Sequence, residues 1–244
     1  MSPSHLNPAK CAVTLIATIA SLTALMMGVE HVFGSSPVLD RSLLFVCGYV
    51  TLRHSGAFFR ICLRRPVRPG AFERLFDETR TGCGVRAARL VLFQSEQDVA
   101  FGAGDFLRPS IFVSTGLAQR ISPAALEALF AHEFGHLRYW HVEATAALLA
   151  CFASLRDFVP PAGTTFALIG MLIVYLATRR QFERIADRFA ARYAGRAAIT
   201  ELLLAIAPAR RPSRWMTLLF THPTHDQRIA ELEKGPSHAR SQHT

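Results

Sequence analysis

The sequence predicts a mostly α-helical fold with a small β-sheet, an α+β class, into which long apolar helices are inserted. Half of the 244 residues are hydrophobic, the mean hydropathy is +0.23, and the apolar residues are gathered into runs. Apolar residues recur with helical spacing in residues 122–138 and 179–193, whereas strand-like runs fall within residues 89–114. The length fits one domain with inserted membrane segments.

The chain is basic, because 27 Lys and Arg residues outnumber 18 Asp and Glu residues. Much of the excess follows the first two apolar runs, in a cluster formed by Arg53, Arg60, Arg64, Arg65 and Arg68. This position is typical of a cytoplasmic segment beside anionic lipid. No RNA-binding signature or zinc-finger spacing accompanies the cluster, so we expect membrane lipid and no nucleic acid as a partner. Five separated cysteines without a C-x-x-C pair argue against a disulfide framework and against a cysteine-ligated zinc.

Residues 1–60 are predicted to form an N-terminal membrane region with spans at about 11–29 and 42–59. The first run is uncharged and, at ~1.5 Å per residue, just crosses a ~30 Å hydrocarbon core. A secretory signal peptide is the alternative, although no good A-x-A cleavage site follows. The second run crosses only if Arg41 and Arg53 snorkel or the helix continues towards Phe59. The positive-inside rule then places the chain from Arg53 onwards in the cytoplasm.

Residues 61–234 are predicted to form the single folded domain, and a disordered polar tail follows at 235–244. The domain begins with a predicted helix at 71–80 and strands at 89–94, 100–102 and 110–114. Uncharged runs at 144–155 and 158–178 then predict a membrane hairpin inserted at about 144–178. Its first arm is short and could instead be a buried or re-entrant helix.

The motif His132-Glu133-Phe134-Gly135-His136 lies in the middle of a predicted helix. Ser122-Pro123 begins this helix, with Ser122 as N-cap and Pro123 at the first helical position. Residues four apart lie one above the other on a helix, so both imidazoles can bind one Zn²⁺, and Glu133 beside them is a candidate general base. Gly135 costs ~1 kcal/mol relative to Ala, which indicates a close neighbouring backbone or tight helix packing.

A catalytic zinc needs a third protein ligand. The predicted amphipathic helix at 179–193, ended by Gly195, contains Glu183 and Asp187 four residues apart. Glu183 can bind the metal, and Asp187 can accept a hydrogen bond from a ligand histidine. A solvated, arginine-rich helix is the alternative, and the H-E-x-x-H motif favours the metal site. The predicted buried side of this helix consists of Phe182, Ile185, Phe189 and Tyr193.

A third motif, at residues 221–232, runs from a proline-stiffened loop into a short helix. His222 could donate a hydrogen bond to the transition state, and Arg228 could pair with a carboxylate of the site. A loop histidine and a surface arginine are the alternative interpretation.

The order and spacing of these motifs resemble the membrane zinc metallopeptidases of the HtpX and CAAX prenyl endopeptidase family, over roughly residues 71–232. The resemblance implies a zincin-like catalytic domain of the gluzincin type with one Zn²⁺ per chain. The metal ligands it implies are His132, His136 and Glu183. It also implies Glu133 as base and His222 as a further catalytic residue. Asp187 and Arg228 would contact the ligands or the site carboxylates from behind. It also implies a bacterial-type plasma membrane protein whose catalytic domain faces the cytoplasm.

The expected function is a membrane-bound zinc endopeptidase that hydrolyses peptide bonds of misfolded or membrane proteins in quality control. An extended polypeptide substrate is expected to add a strand beside Phe101, Gly102 and Ala103. A signalling sensor peptidase of the BlaR/MecR type is one alternative, although residues 30–40 are too few for a sensor domain. A catalytically silent membrane scaffold is the other. The oligomeric state is not predicted.

Overall fold

The structure, a computed structural model, describes residues 8–34, 36–63, 66–104, 108–155, 163–207 and 223–234. Helices form most of this part of the chain and accompany one small sheet, which confirms the predicted α+β class. The described helices are α1 (Pro8–Phe33), α2 (Pro37–Arg53), α3 (Ser55–Cys62), α4 (Ala71–Gly82), α5 (Thr115–Arg120), α6 (Pro123–Arg138), α7 (His141–Leu155), α8 (Thr164–Tyr193), α9 (Arg196–Ala205) and α10 (His225–Lys234). The described strands are β1 (Pro66–Val67), β2 (Arg89–Phe93), β3 (Ala100–Ala103) and β4 (Ser110–Ser114).

The sheet has the strand order β1-β2-β4-β3 and confirms the three predicted strands. β2 and β4 run parallel, whereas β3 pairs antiparallel with β4, so that Gly102 lies opposite Ile111. All five residues of β4 are buried, as expected for an inner strand. Within the described residues β3 has no strand on its other side, so its outer edge retains backbone groups that can pair with an added strand.

Helix α6 lies at the centre of the domain and packs against α4, α8, α9 and β3. Nearly every residue from Ala125 to His136 is buried. Phe76 of α4 packs against two of its aromatic side chains, with ring centroids 5.2 Å from Phe130 and 5.1 Å from Phe134. A helix enclosed on all sides keeps its side chains in fixed positions, which suits the helix that carries the H-E-x-x-H motif.

Among the described residues, the N-terminal helices α1 and α2 contribute no side chain to this core. In the described part of the chain one helix, at Ala9–Phe33, is long and apolar enough to cross a membrane. The region predicted as a second span is divided, because α2 ends at Arg53 and α3 begins at Ser55. The amide of Gly56 then donates a hydrogen bond to the carbonyl of Gly104 (2.8 Å), which joins α3 to the end of β3. The short α3 therefore belongs with the sheet.

Helices α7 and α8 occupy the region of the predicted membrane hairpin, and residues 156–162 between them lie outside the described residues. The described contacts show α7 packed on α2, where a Cβ added to Gly48 would lie 3.6 Å from the Cβ of Ala150. A salt bridge of 2.8 Å between Arg53 and Glu143 joins the same two helices. The predicted tail at 235–244 also lies outside the described residues.

Helix α8 joins the predicted apolar arm and the predicted amphipathic helix into one helix of 30 residues. At ~1.5 Å per residue it is about 45 Å long. Its first half exposes large apolar side chains, with Phe166 78% and Ile173 60% exposed. Its second half carries Glu183 and Asp187 into the core. One rigid element thus connects the apolar region with the candidate site.

The predicted buried side of this second half is confirmed in part, because Phe189 and Tyr193 pack against the main core. Phe182, Ile185, Phe189 and Tyr193 are only half-buried, whereas the buried residues are Glu183, Ala186, Asp187 and Ala190. The physical reason is the tight contact with α6, where a Cβ on Gly135 would lie 3.2 Å from the Cα of Ala186. Only small residues allow helices to approach so closely, and this approach buries the carboxylates between them.

Candidate metal centre and active site

Helix α6 supplies three site residues, all at least nine-tenths buried: His132, Glu133 and His136. Ser122 caps the helix as predicted, since its hydroxyl accepts a hydrogen bond from the amide of Ala125 (3.1 Å). The close approach predicted from Gly135 is also confirmed by the distance to Ala186. The N-cap fixes where α6 begins, and the close packing at Gly135 fixes its distance from α8. Together they position the two histidines relative to α8.

Three side-chain groups converge between α6 and α8. The Nε2 atoms of His132 and His136 lie 3.2 Å apart. The carboxylate oxygens of Glu183 lie 3.4 Å from each of these nitrogens. Ligands of a tetrahedral zinc at about 2.0–2.1 Å from the metal would lie about 3.3 Å from one another. The residues present therefore fit a divalent metal ion, and they offer it the His-His-Glu donor set of a catalytic zinc.

The two histidines have opposite pKa shifts. Burial lowers the pKa of His132, but its contacts with Asp187 and Glu183 outweigh burial and raise this pKa to about 10. Burial and the charge of His132 lower the pKa of His136. In the absence of a metal the two carboxylates therefore hold a proton on His132, and a metal ion that binds there displaces this proton.

Asp187 lies behind His132, with one carboxylate oxygen 3.0 Å from Nδ1. Arg228 of α10 contacts the same carboxylate through two nitrogens. Burial alone would raise the pKa of Asp187, but hydrogen bonds from Arg228 and His132 lower it to about 2. The carboxylate is therefore ionised at neutral pH and is placed to orient the His132 ring.

His141 lies behind the other histidine. Its side chain is 2% exposed, and its Nδ1 lies 2.9 Å from Nδ1 of His136. Burial lowers the pKa of His141 to about 4, so its imidazole is neutral. The sequence analysis did not identify this residue. The sequence feature that could have identified it is its position, five residues after His136 and at the start of an apolar helix.

A cavity of about 380 Å³ opens in front of these groups. Its wall includes all of the converging side chains together with Phe101 and Gly102 of β3. A Cβ on Gly102 would lie 2.9 Å from Oε2 of Glu133, so the edge strand passes directly beside the candidate base. An extended chain laid along β3 would therefore place its backbone next to Glu133.

The other sequence-predicted residues lie elsewhere. Ala103 does not line the cavity but packs with Leu63, Phe93 and Phe112. This follows from the two-residue repeat of a strand, since Gly102 faces Glu133 and its neighbour faces away. His222 lies outside the described residues.

Two further cavity residues, Arg179 and His225, had not been predicted. Arg179 lies one turn before Glu183 on α8, with a guanidinium nitrogen 3.7 Å from the Glu183 carboxylate. His225 is the first residue of α10. Neither stands out in the sequence, because their place on the wall depends on how α8 and α10 pack.

The helix-rich fold, the converging ligand set and the edge strand β3 beside Glu133 are together those of a metallopeptidase. The family model for peptidase family M48 matches residues 70–235, so the chain belongs to that family.

Two comparisons describe its relatives. The chain is 29% identical to Protease HtpX of Chromohalobacter salexigens over 137 residues, which are 50% of this chain and 46% of that relative. It therefore spans about half the length of that relative. The crystal structure of Ste24p from S. mikatae superposes with a TM-score of 0.67 at 16% identity, over 91% of this chain and 64% of that one. This structural similarity shows that the two chains share a fold.

Proposed function

We propose that this chain is a membrane-bound zinc-dependent endopeptidase. The observation that carries the proposal is the convergence of His132, His136 and Glu183 at ligand spacing in a cavity beside the edge strand β3. Zinc is the metal we favour, because two imidazoles and one carboxylate are typical of its catalytic sites. One ion would bind per chain.

His132, His136 and Glu183 would hold the ion, and Glu133 would act as general base. When bound, zinc would polarise the scissile carbonyl and lower the pKa of the attacking water from ~16 towards ~7. Glu133 would accept the proton of that water and pass it to the leaving amine. Asp187 and Arg228 would hold His132 in place. His222, assigned from the sequence, would donate a hydrogen bond to the developing oxyanion.

The substrate would be a polypeptide in an extended conformation. Main-chain hydrogen bonds to the outer edge of β3 would recognise it without strict dependence on its side chains. Phe101 and Gly102 would form the contact surface, and the missing side chain of Gly102 would let the scissile peptide approach Glu133. Such loose specificity suits the degradation of misfolded or membrane proteins, which is the biological role we propose.

A position in the membrane is supported by two features. Helix α1 is long and apolar, and the first half of α8 exposes apolar side chains. Glu183 follows this apolar half by about one and a half turns, so the site would lie close to the membrane surface. The arginine cluster that begins at Arg53 supports a cytoplasmic catalytic domain in a plasma membrane.

The first test is zinc content together with cleavage of an unfolded model protein by the detergent-purified chain. We expect about one zinc per chain, retained in Glu133→Gln with cleavage reduced by ~10³-fold or more, and zinc lost in His136→Ala. Glu127→Gln, on the same helix but outside the cavity wall, is the matched control and should cut normally.

Each negative outcome of this test contradicts a different part of the proposal. A wild-type chain without zinc would disprove the metal site. A chain that holds zinc and cuts nothing would favour a silent scaffold, and a single cut restricted to one substrate would favour a signalling peptidase.

A further inference from the structure

The junction between α6 and α7 has an unusual backbone. After α6 ends at Arg138, Trp140 adopts a φ of 59°. Among the described residues, every other residue with a positive φ is a glycine. Its carbonyl then accepts a hydrogen bond from the amide of Ala144 (2.9 Å), which begins α7. A bulky residue rarely adopts this left-handed conformation, so the surrounding structure must hold it there.

This turn brings the first residue of α7 back to the metal centre. His141 lies directly after Trp140, and its Nδ1 lies 2.9 Å from Nδ1 of His136. The ring of His141 stacks on Phe182 of α8, with centroids 4.1 Å apart and an angle of 8° between the planes. The His141 ring is therefore fixed by α8 on its face and directed at His136 along its edge.

The chemistry of a ligand histidine then determines the direction of this hydrogen bond. Nε2 of His136 points to the metal position, 3.2 Å from Nε2 of His132 and 3.4 Å from Glu183. An imidazole that binds a metal through Nε2 carries its proton on Nδ1 and must donate it. Nδ1 of His141 is at the correct distance to accept that proton.

We propose that His141 is a positioning residue that fixes the tautomer and the ring orientation of His136 by accepting a hydrogen bond from its Nδ1. The inference rests on the proposed function, because it requires His136 to bind the metal. The two ligand histidines would thus have different supports, a carboxylate behind His132 and a neutral imidazole behind His136. This difference limits the negative charge that is buried around the centre.

The test separates the acceptor atom from the packing of the ring. His141→Phe keeps an aromatic ring to stack on Phe182 and removes the acceptor. His141→Asn removes the ring and keeps an acceptor, because the Asn Oδ1 is as many bonds from the backbone as the His Nδ1. Zinc affinity is measured on the detergent-purified full chain by competition with a chelator, and the absorption spectrum of the Co²⁺-substituted chain reports the ligand geometry.

We expect zinc to bind about 10–100-fold more weakly to His141→Phe than to wild type, with an altered Co²⁺ spectrum. His141→Asn should stay within about threefold of wild type and keep its spectrum. The melting temperatures of the metal-free variants show whether each is folded.

The proposal is overturned if His141→Phe binds zinc as wild type does, or if both variants are equally weakened, since the acceptor atom would then not decide the affinity. If wild type binds no zinc, the proposed function itself has failed. If a folded His141→Phe could not be prepared, a loss of affinity or a changed Co²⁺ spectrum in His141→Asn would by itself contradict the proposal.

Discussion

Arg228 and Asp187 form a two-pronged buried ion pair that joins α10 to α8. Nε of Arg228 lies 2.7 Å from one carboxylate oxygen and a terminal nitrogen lies 2.5 Å from the other. Both side chains are at least nine-tenths buried. Because Asp187 also contacts His132, α10 is connected to the candidate metal centre through a chain of two polar contacts.

Removal of Arg228 is expected to destabilise the protein. Arg228→Ala removes the two-pronged partner of the buried Asp187 carboxylate and leaves it paired with His132, and breaking a buried ion pair typically costs about 3–5 kcal/mol. The matched control is Arg184→Ala, because Arg184 pairs with Glu231 between the same two helices (3.0 Å) but the two side chains remain 39% and 44% exposed. That pair should contribute less than about 1 kcal/mol. Denaturant unfolding of the metal-free chain in detergent measures both, and equal effects would contradict this prediction.

Gly102→Ala is expected to impair catalysis without loss of the metal. The added Cβ would lie 2.9 Å from Oε2 of Glu133, so the carboxylate must move. A displacement of about 1 Å at a catalytic group can reduce the rate by about 100-fold. Gly170→Ala, where nothing lies within 4 Å of the new atom, is the control. Normal turnover in Gly102→Ala would show that Glu133 does not require its present position.

Gly135→Ala is expected to destabilise the protein although alanine is the better helix former. The new Cβ would meet the Cα of Ala186 at 3.2 Å, and backbone cannot yield as a side-chain end can. Overpacking of about 1–3 kcal/mol should outweigh the gain of ~1 kcal/mol in helix propensity. It should also weaken zinc binding, because α6 and α8 each carry ligands.

Gly48→Ala provides the comparison for this variant. Gly48 also faces an alanine of a neighbouring helix, but at an ordinary contact distance of 3.6 Å. A melting temperature unchanged or raised in Gly48→Ala and lowered in Gly135→Ala supports the tight α6–α8 contact, and a temperature lowered in neither variant would argue against it.

Two histidines of the third motif compete for the role of transition-state donor. If His222 has that role, His222→Ala should reduce kcat by about 10²–10³-fold and leave the zinc content unchanged. His225 lies on the cavity wall, and we expect His225→Ala to change KM more than kcat. Steady-state kinetics with a peptide substrate decide, and a kcat loss confined to His225→Ala would move the assignment to that residue.

Local signals were sufficient to predict much of this protein. Ser122-Pro123 marks the start of α6, the spacing of His132 and His136 places both on one face, and the run at residues 11–29 indicates α1. These features depend on capping, helical period and apolar length, which act between residues close in sequence. The pairing of Arg228 with a site carboxylate was predicted as a possibility, and the structure decided that the partner is Asp187.

Contacts between elements were decided by the tertiary structure. The most deeply buried face of α8 carries Ala186 and Asp187, because Gly135 lets the backbone of α8 approach α6 closely at Ala186. The place of Arg179, His225 and His141 at the site depends on how α8, α10 and the left-handed Trp140 direct the chain in space. The sequence by itself indicated the candidate ligands and the candidate base, because helical spacing acts locally. Packing determined which side chains meet at the site, because packing depends on the shapes of surfaces far apart along the chain.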